Sequence, residues 1–362
     1  MTVEPRFART EDGVSIGYQI LGQGPPLVWM PSLSNITAQW RIPALRAAYT
    51  GLARKVTLIL YDGRGTGISD RRIDLGDLGV DAHLRDLRAV LDHVGVQRPS
   101  LLGYYHSVAT AIAFAAREPE RVRRLVLFGG SPQLREAMLP AQTQALLSLV
   151  EQDWDLFADA AATAWLGWDS AASGRWTAEA FRTATSPAAA KAWFEAAGHI
   201  DVTGELSRVR APALVLHRQG EQRIPVEVFQ RLTAGLPDGR LVELPGATPT
   251  LFIEDPAADI ALVTGFVTSG RVGQPEPGTG RMGRSAPRTG LTAREGEVLR
   301  LLATGDSNAE IGRELGITVH TVERHLSAIY RKIGARSRSD AIRISVIARD
   351  GSPGRFPAAG TG

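Results

Sequence analysis

The chain contains no cysteine, which excludes disulfides and thiolate metal sites and is compatible with the cytoplasm. No apolar run reaches the ~18 residues a membrane span needs, so no membrane partner is expected. The opening MTVEPRFARTEDG lacks the apolar stretch of a secretory signal. Lysine is scarce, occurring only as Lys55, Lys191 and Lys332, a bias that reads as genomic base composition and not as function. There is no internal repeat, and neither a metal nor a cofactor is expected.

What remains is a chain of 362 residues, 44% hydrophobic and 22% charged, long enough for two domains with a sizeable core. Its net charge of +3 is unevenly spread. From Arg271 onward there are 15 Arg and Lys against 9 Asp and Glu; before it, 26 against 29. A basic C-terminal fifth on a mildly acidic body suggests a polyanion-binding module joined to a non-binding partner, although a basic solvated surface would give the same count.

The segment Gly270 to Gly290 is rich in Gly and Pro and nearly free of large apolar residues, so it cannot fold alone. The division expected is a body over 1–269, a flexible linker over 270–289, a second domain over 290–349 and a disordered tail over 350–362. In the body, PLVWM, VTLILYD, SLLG, RLVLFGG and ALVLH read as buried parallel strands. Helical stretches between them, such as Asp81 to His93 and Val108 to Arg117, point to an α/β fold. An insert at about 132–206 has no strand pattern and holds five of the seven tryptophans: Trp154, Trp165, Trp168, Trp176 and Trp193. They either pack the insert's own core or line an apolar pocket beneath a helical cap.

The C-terminal module reads as four helices. The first spans Thr292 to Ala303, with Thr292 and Glu295 as a capping box. Ser307 caps the second, Asn308 to Leu315, and Thr318 caps the third, Val319 to Ile333. The fourth runs from about Ser337 to Arg349. The turn Leu315-Gly316-Ile317 fits a helix-turn-helix. On the third helix Val322, Leu326, Ile329 and Ile333 form one apolar stripe. Opposite it lie His320, Arg324, Ser327 and Arg331, flanked by Thr321, Ala328 and Lys332. Such a short, basic face fits a major groove, though a solvated helix face would look similar. The segment LTAREGEVLRLLATGDSNAEIGRELGITVHTVERHLSAIYRKIGARSRSDAI closely resembles the LuxR-type DNA-binding domain. The resemblance implies double-stranded DNA as partner and a recognition helix from Thr318 to Ile333. It also implies Thr321, His325 and Lys332 near phosphates, Glu323, Arg324 and Ser327 facing bases, Ser307 and Asn308 starting the helix that crosses the backbone, and a homodimer.

In the body, YDGRGTGISD and LLGYYHSVATAIAFAAREPERVRRLVLFGG, followed by PALVLH and LVELPGATPTLFIEDP, resemble the α/β-hydrolase fold over about 265 residues. The fold class expected is therefore α/β, an α/β-hydrolase-like sheet with a helical cap, followed by a small all-α four-helix helix-turn-helix domain. Members of this type act through a nucleophile, an acid and a His. The resemblance places Tyr105 at the nucleophile, Ser107 at the following Gly, Glu221 at the acid and Pro249 at the His. A phenol, with a pKa of ~10, is a poor activated hydroxyl, and proline accepts no proton. The expectation is a pseudo-hydrolase with no catalytic residue.

Pocket candidates are Leu33, Tyr104, Tyr105, His106, Trp154, Trp165, Trp168 and Trp193. Asp62 and Arg64 read as turn and salt-bridge residues. Three readings of the body follow: a sensor of a small apolar ligand, an esterase with a shifted nucleophile at Ser107, and a dimerisation or docking scaffold.

Overall fold

The computed structural model describes residues 3–33, 35–138, 141–166, 171–221, 224–272, 293–303, 307–315, 317–333, 335 and 341. The chain divides into two units, 1–275 and 276–362.

The first unit is built on an eight-stranded sheet. Its strands are β1 (Arg6–Arg9), β2 (Ser15–Leu21), β3 (Pro26–Trp29), β4 (Thr57–Tyr61), β5 (Ser100–Tyr104), β6 (Arg124–Phe128), β7 (Ala213–Arg218) and β8 (Gly239–Leu244). They lie in the order β1-β2-β4-β3-β5-β6-β7-β8. Pairing is antiparallel for β1–β2 and β2–β4 and parallel elsewhere, with Leu102 opposite both Trp29 and Val126. The central strands are buried on both faces, which is why they read as continuous apolar runs. The terminal strands β1, β2 and β8 are absent from the strands expected above; on β8, Arg240 and Glu243 are exposed and only Leu244 is buried.

Helices cover both faces. They begin with α1 (Ile36–Gln39), α2 (Pro43–Leu52), α3 (Val80–Val94) and α4 (Ser107–Arg117). The cap helices α5 (Leu134–Met138), α6 (Ala141–Gln152), α7 (Trp154–Leu166), α8 (Ala171–Arg182) and α9 (Pro187–Gly198) follow, then α10 (Val226–Gly235) and α11 (Pro256–Ser269). On α3, Leu84, Leu87, Val90 and Leu91 are buried along one face, and Gly95 ends the helix in a left-handed conformation with φ 75°. Small residues let α4 sink completely, every position from Ser107 to Ala116 being buried. A Cβ on Gly103 would stand 3.1 Å from the Val108 Cα, so strand and helix meet at close to backbone distance.

Among its described residues the expected insert forms helices and no strand, apart from one bridge between Gln133 and Asp201. Its far end is stitched to the loop after β4: Gly67 N donates to Ala184 O at 2.7 Å and the Thr185 hydroxyl to Gly65 O at 2.7 Å.

The second unit contains α12 (Ala293–Ala303), α13 (Asn308–Leu315) and α14 (Val319–Ile333) around Val298, Leu302, Ile311, Val322, Leu326 and Ile329. Ala341 is helical, but the rest of the expected fourth helix, the linker from 273 and the tail lie outside the described residues. Among the described residues no helix is long and apolar enough to cross a membrane.

Two glycines of the first unit make opposite predictions. A Cβ on Gly130 would sit 2.2 Å from Tyr105 O and 2.7 Å from Val108 Cγ2, whereas one on Gly174, inside α8, would meet nothing within 4 Å. Urea unfolding of Gly130→Ala is expected to show a loss of about 2 kcal/mol or more. Gly174→Ala is expected to gain ~0.5–1 kcal/mol through helix propensity.

Candidate functional site

Between β5 and α4 the chain turns sharply at Tyr105, which stands at φ 51°. A non-glycine residue in that region carries roughly 1–3 kcal/mol of strain, so its surroundings must hold it. Tyr105 N donates to Phe128 O at 2.9 Å, and Val108 N donates to Tyr105 O at 3.1 Å. Gly129, at φ 68°, leaves space for the ring: a Cβ there would lie 2.8 Å from Tyr105 Cζ. The phenol then donates to the carbonyl of Pro249.

Tyr105, Glu221 and Pro249 thus surround one space, together with His217, Arg218 and Phe229. Its free volume is about 10 Å³, barely one water. The Pro249 loop is anchored by a buried pair: Arg218 Nη2 lies 2.6 Å from Asp259 Oδ2, and Arg218 Nη1 donates to Pro245 O at 2.8 Å. Asp259 also accepts from Phe252 N at 2.8 Å, holding Phe252 at φ 68°. His217 stacks on Phe229 at 4.5 Å, and burial holds its pKa below the usual value. Ser107 opens α4, and its hydroxyl is tied to both backbone atoms of Tyr104, accepting from N at 2.9 Å and facing O at 3.1 Å.

A second cavity lies beneath the cap. Leu134, Trp193, Ala197 and Ile200 close it from above, over Met30, Arg64, His83, Asp86 and His106. It measures about 30 Å³, against the ~300–1,000 Å³ of ordinary ligand pockets. The insert has two readings, a self-packed core and a lined apolar pocket, and the space among the described residues leaves room for little beyond water.

Of the residues expected there, His106 and Trp193 line this cavity, with ring centroids 4.5 Å apart. Three do not. Leu33 is buried in the core. Tyr104 points to the opposite face of the sheet, because successive strand residues alternate, and its hydroxyl accepts from Leu251 N at 3.3 Å. Trp154 stacks on Phe157 at 5.0 Å and donates to Arg182 O, so it packs the cap's own core. Trp168 and the side chain of Trp165 lie outside the described residues. Trp176 packs under the guanidinium of Arg41, 3.9 Å from its ring centre.

Asp62 and Arg64 are structural, as expected. The buried Asp62 carboxylate accepts from Ile36 N and Ile68 N at 3.0 and 2.9 Å, and desolvation pushes its pKa up to about 7. Arg64 pairs with Asp86 at 2.9 Å, Asp12 at 2.8 Å and Asp77 at 3.2 Å. Sequence reasoning missed that His83 shares the cavity with His106, since their separation in the chain carries no signal. Burial pushes both imidazoles down to about 4.

In the second unit the caps form as the residues dictate. Ser307 and Glu310 make a reciprocal capping box, with Ser307 N donating to Glu310 Oε2 at 2.7 Å and Glu310 N to Ser307 Oγ at 3.3 Å. Thr318 caps α14 by accepting from Thr321 N at 3.2 Å. Ile317 N donates to Gly312 O at 2.9 Å, and a Cβ on Gly312 would approach Ile317 O to 2.8 Å, so the tight turn needs this glycine.

On α14, Val322, Leu326 and Ile329 are buried, while His320, Glu323, Arg324 and Ser327 are exposed and Thr321 and His325 half-buried. Asn308 is half-buried and Ser307 exposed at the start of α13. The Arg331 side chain lies outside the described residues. Lys332 is exposed, and its ammonium lies 2.7 and 2.9 Å from the carboxylate of the buried Glu295, a pair that links α14 to α12.

Comparison with known proteins agrees with both units. The family described as alpha/beta hydrolase fold matches residues 25–256, and bacterial regulatory proteins of the luxR family match residues 289–345. The chain is 30% identical over 197 residues to a 2-hydroxy-6-oxononadienedioate/2-hydroxy-6-oxononatrienedioate hydrolase of Paraburkholderia phymatum, covering 50% of this chain and 66% of that protein. It is 47% identical over 51 residues to the Escherichia coli K12 protein named "Putative HTH-type transcriptional regulator YhjB", covering 14% and 26%. The chain thus spans just under two thirds of the first relative's length and about a quarter of the second's. The esterase RhEst1 of Rhodococcus superposes with a TM-score of 0.63 at 24% identity over 74% of this chain and 99% of that one, a likeness of fold.

Two outcomes are expected from these contacts. Lys332→Ala removes the ion pair between α14 and α12, so thermal unfolding of the second unit should show a loss of about 1 kcal/mol. Circular dichroism with DNA titration at a temperature where the variant is folded separates that loss from any phosphate contact. His106 titrates near 4 when folded against 6.5 ordinarily, so the unfolded chain binds more protons between those values. The stability of the parent relative to His106→Gln should therefore rise from pH 4 to 6.5 and level off above, as read by urea midpoints. Asp62 and Asp86, raised to about 7 and about 6, slope the other way and cancel in this difference.

Proposed function

Because the chain belongs to the α/β hydrolase fold family and carries a LuxR-type DNA-binding helix-turn-helix after it, we propose that it is a homodimeric transcription regulator whose body no longer hydrolyses and serves as a small-ligand sensor. The observation that carries the non-catalytic part is the Tyr105 phenol donating to the Pro249 carbonyl. An active triad needs a nucleophilic side chain there and a base to take its proton. A phenol held on a carbonyl supplies neither, and Glu221 alone completes no triad. Losing one triad member generally costs ~10³-fold or more in rate, and two positions are altered here. The rival nucleophile Ser107 has its hydroxyl tied to the backbone of Tyr104.

The DNA side of the reading rests on α14, where Arg324 and Ser327 stand exposed opposite the buried stripe. Two such helices, one per protomer, would read half-sites one helical turn apart. Regulation follows if a ligand has different affinity for two arrangements of the cap and so shifts their populations. The near-filled cavity favours a second reading, in which the body is a dimerisation scaffold and senses nothing.

Purified full chain should give no saturable turnover of p-nitrophenyl acetate or butyrate; turnover abolished by Ser107→Ala would contradict the proposal. In fluorescence anisotropy with a promoter fragment, Arg324→Ala should reduce discrimination against non-specific DNA by ~1–3 kcal/mol, as loss of one base contact does. A parent and a variant that bind alike would remove α14 from its role.

A further inference from the structure

The cavity under the cap is separate from the space where Tyr105 meets Pro249, since neither residue lines it. Its polar wall is almost entirely committed. The Arg64 side chain is 2% exposed and surrounded by the carboxylates of Asp86, Asp12 and Asp77. The Thr66 hydroxyl donates to Gly63 O at 2.8 Å, and the Ser107 hydroxyl is held by Tyr104. Among the wall's fully buried side-chain atoms, His106 Nδ1 has no hydrogen-bond partner among the described residues. A buried polar atom in that state is costly and calls for a water or a ligand.

We propose that this cavity is the ligand site of the body, and that it takes a small uncharged molecule carrying a hydrogen-bonding head for His106 and an apolar remainder for the cap. The inference rests on the sensor reading given above and adds place and chemistry to it.

The charge follows from the wall. Arg64 is already held by Asp86, Asp12 and Asp77, the last two shared with Arg85, so an anion finds no free cation. A cation finds no free carboxylate, since each of these is already paired. His83 and His106, kept neutral by burial, compensate neither. Burying an unpaired ion costs several kcal/mol, which leaves uncharged ligands. A neutral imidazole offers one donor and one acceptor, so an amide, alcohol or carbonyl head suits His106.

The apolar part would lie against Met30, Leu134, Trp193 and Ile200. Because the present space of about 30 Å³ holds no more than a water or two, anything larger must displace the lining side chains Leu134, Trp193, Ala197 and Ile200. Binding and cap movement are then one event, which gives the ligand different affinities for two states.

The test uses the full chain with ¹⁵N-labelled histidine and three four-carbon probes: butyramide, butyrate and butylammonium. Side-chain nitrogen correlations at pH 7 should show butyramide shifting His106 and His83 saturably. The two charged probes should need at least tenfold higher concentration. Ala197→Leu, which narrows the cavity, and His106→Phe should each weaken butyramide binding at least tenfold, with circular dichroism reporting that the fold is retained.

Equal binding of charged and uncharged probes overturns the proposal. So does butyramide that leaves His106 unshifted, or that binds Ala197→Leu and His106→Phe as it binds the parent. Promoter-fragment affinity is read in the same samples. Saturable His106 shifts with unchanged DNA affinity uphold the site and overturn only the sensor reading on which it was built.

Discussion

The contact between the Tyr105 phenol and the Pro249 carbonyl decides how the first unit is understood. It joins the turn between β5 and α4 to the loop after β8, the two places where hydrolase chemistry of this fold would be assembled. The scaffold around it is intact. Tyr105 still occupies a left-handed turn, Gly129 and Gly130 still leave the space such a turn needs, and Arg218 with Asp259 still fixes the loop that delivers Pro249. The positive-φ turn at Tyr105 is held by packing: the ring lies against Gly129 and borders a space of about 10 Å³ beside Pro249. In the proposed reading that packing takes the place of a reacting group.

Much of this was legible beforehand, for identifiable reasons. The strands β3 to β7 announced themselves as apolar runs because both faces are buried. The boundaries of α13 and α14 followed from Ser307 and Thr318, whose short hydroxyls satisfy exposed backbone N–H groups, and the buried stripe from the spacing of Val322, Leu326 and Ile329. The edge strands escaped because half-exposed alternation in β8 is weak and β1 is only four residues long.

The candidate pocket was the least legible part. Tryptophans in a cap insert suggest a lined cavity, yet Trp154 serves the cap's own core and, among the described residues, Trp193 alone of the insert's tryptophans lines the cavity. Strand alternation placed Tyr104 on the far face, a consequence available from β5 once its end was known. The partnership of His83 with His106, and that of Lys332 with Glu295, depend on packing between separate helices and leave no trace in local pattern. Near the C-terminal end of α14, Lys332 pairs with Glu295 of α12, a contact that the helix face alone does not announce.

The account joins a silent hydrolase fold to a helix that reads DNA. Its most direct test is selection of binding sites by the full-length protein from a random pool of duplex DNA at physiological salt. The account predicts convergence within a few rounds on one motif with two related halves. A pool that stays random, from protein whose fold is verified and with the salt lowered, would contradict it.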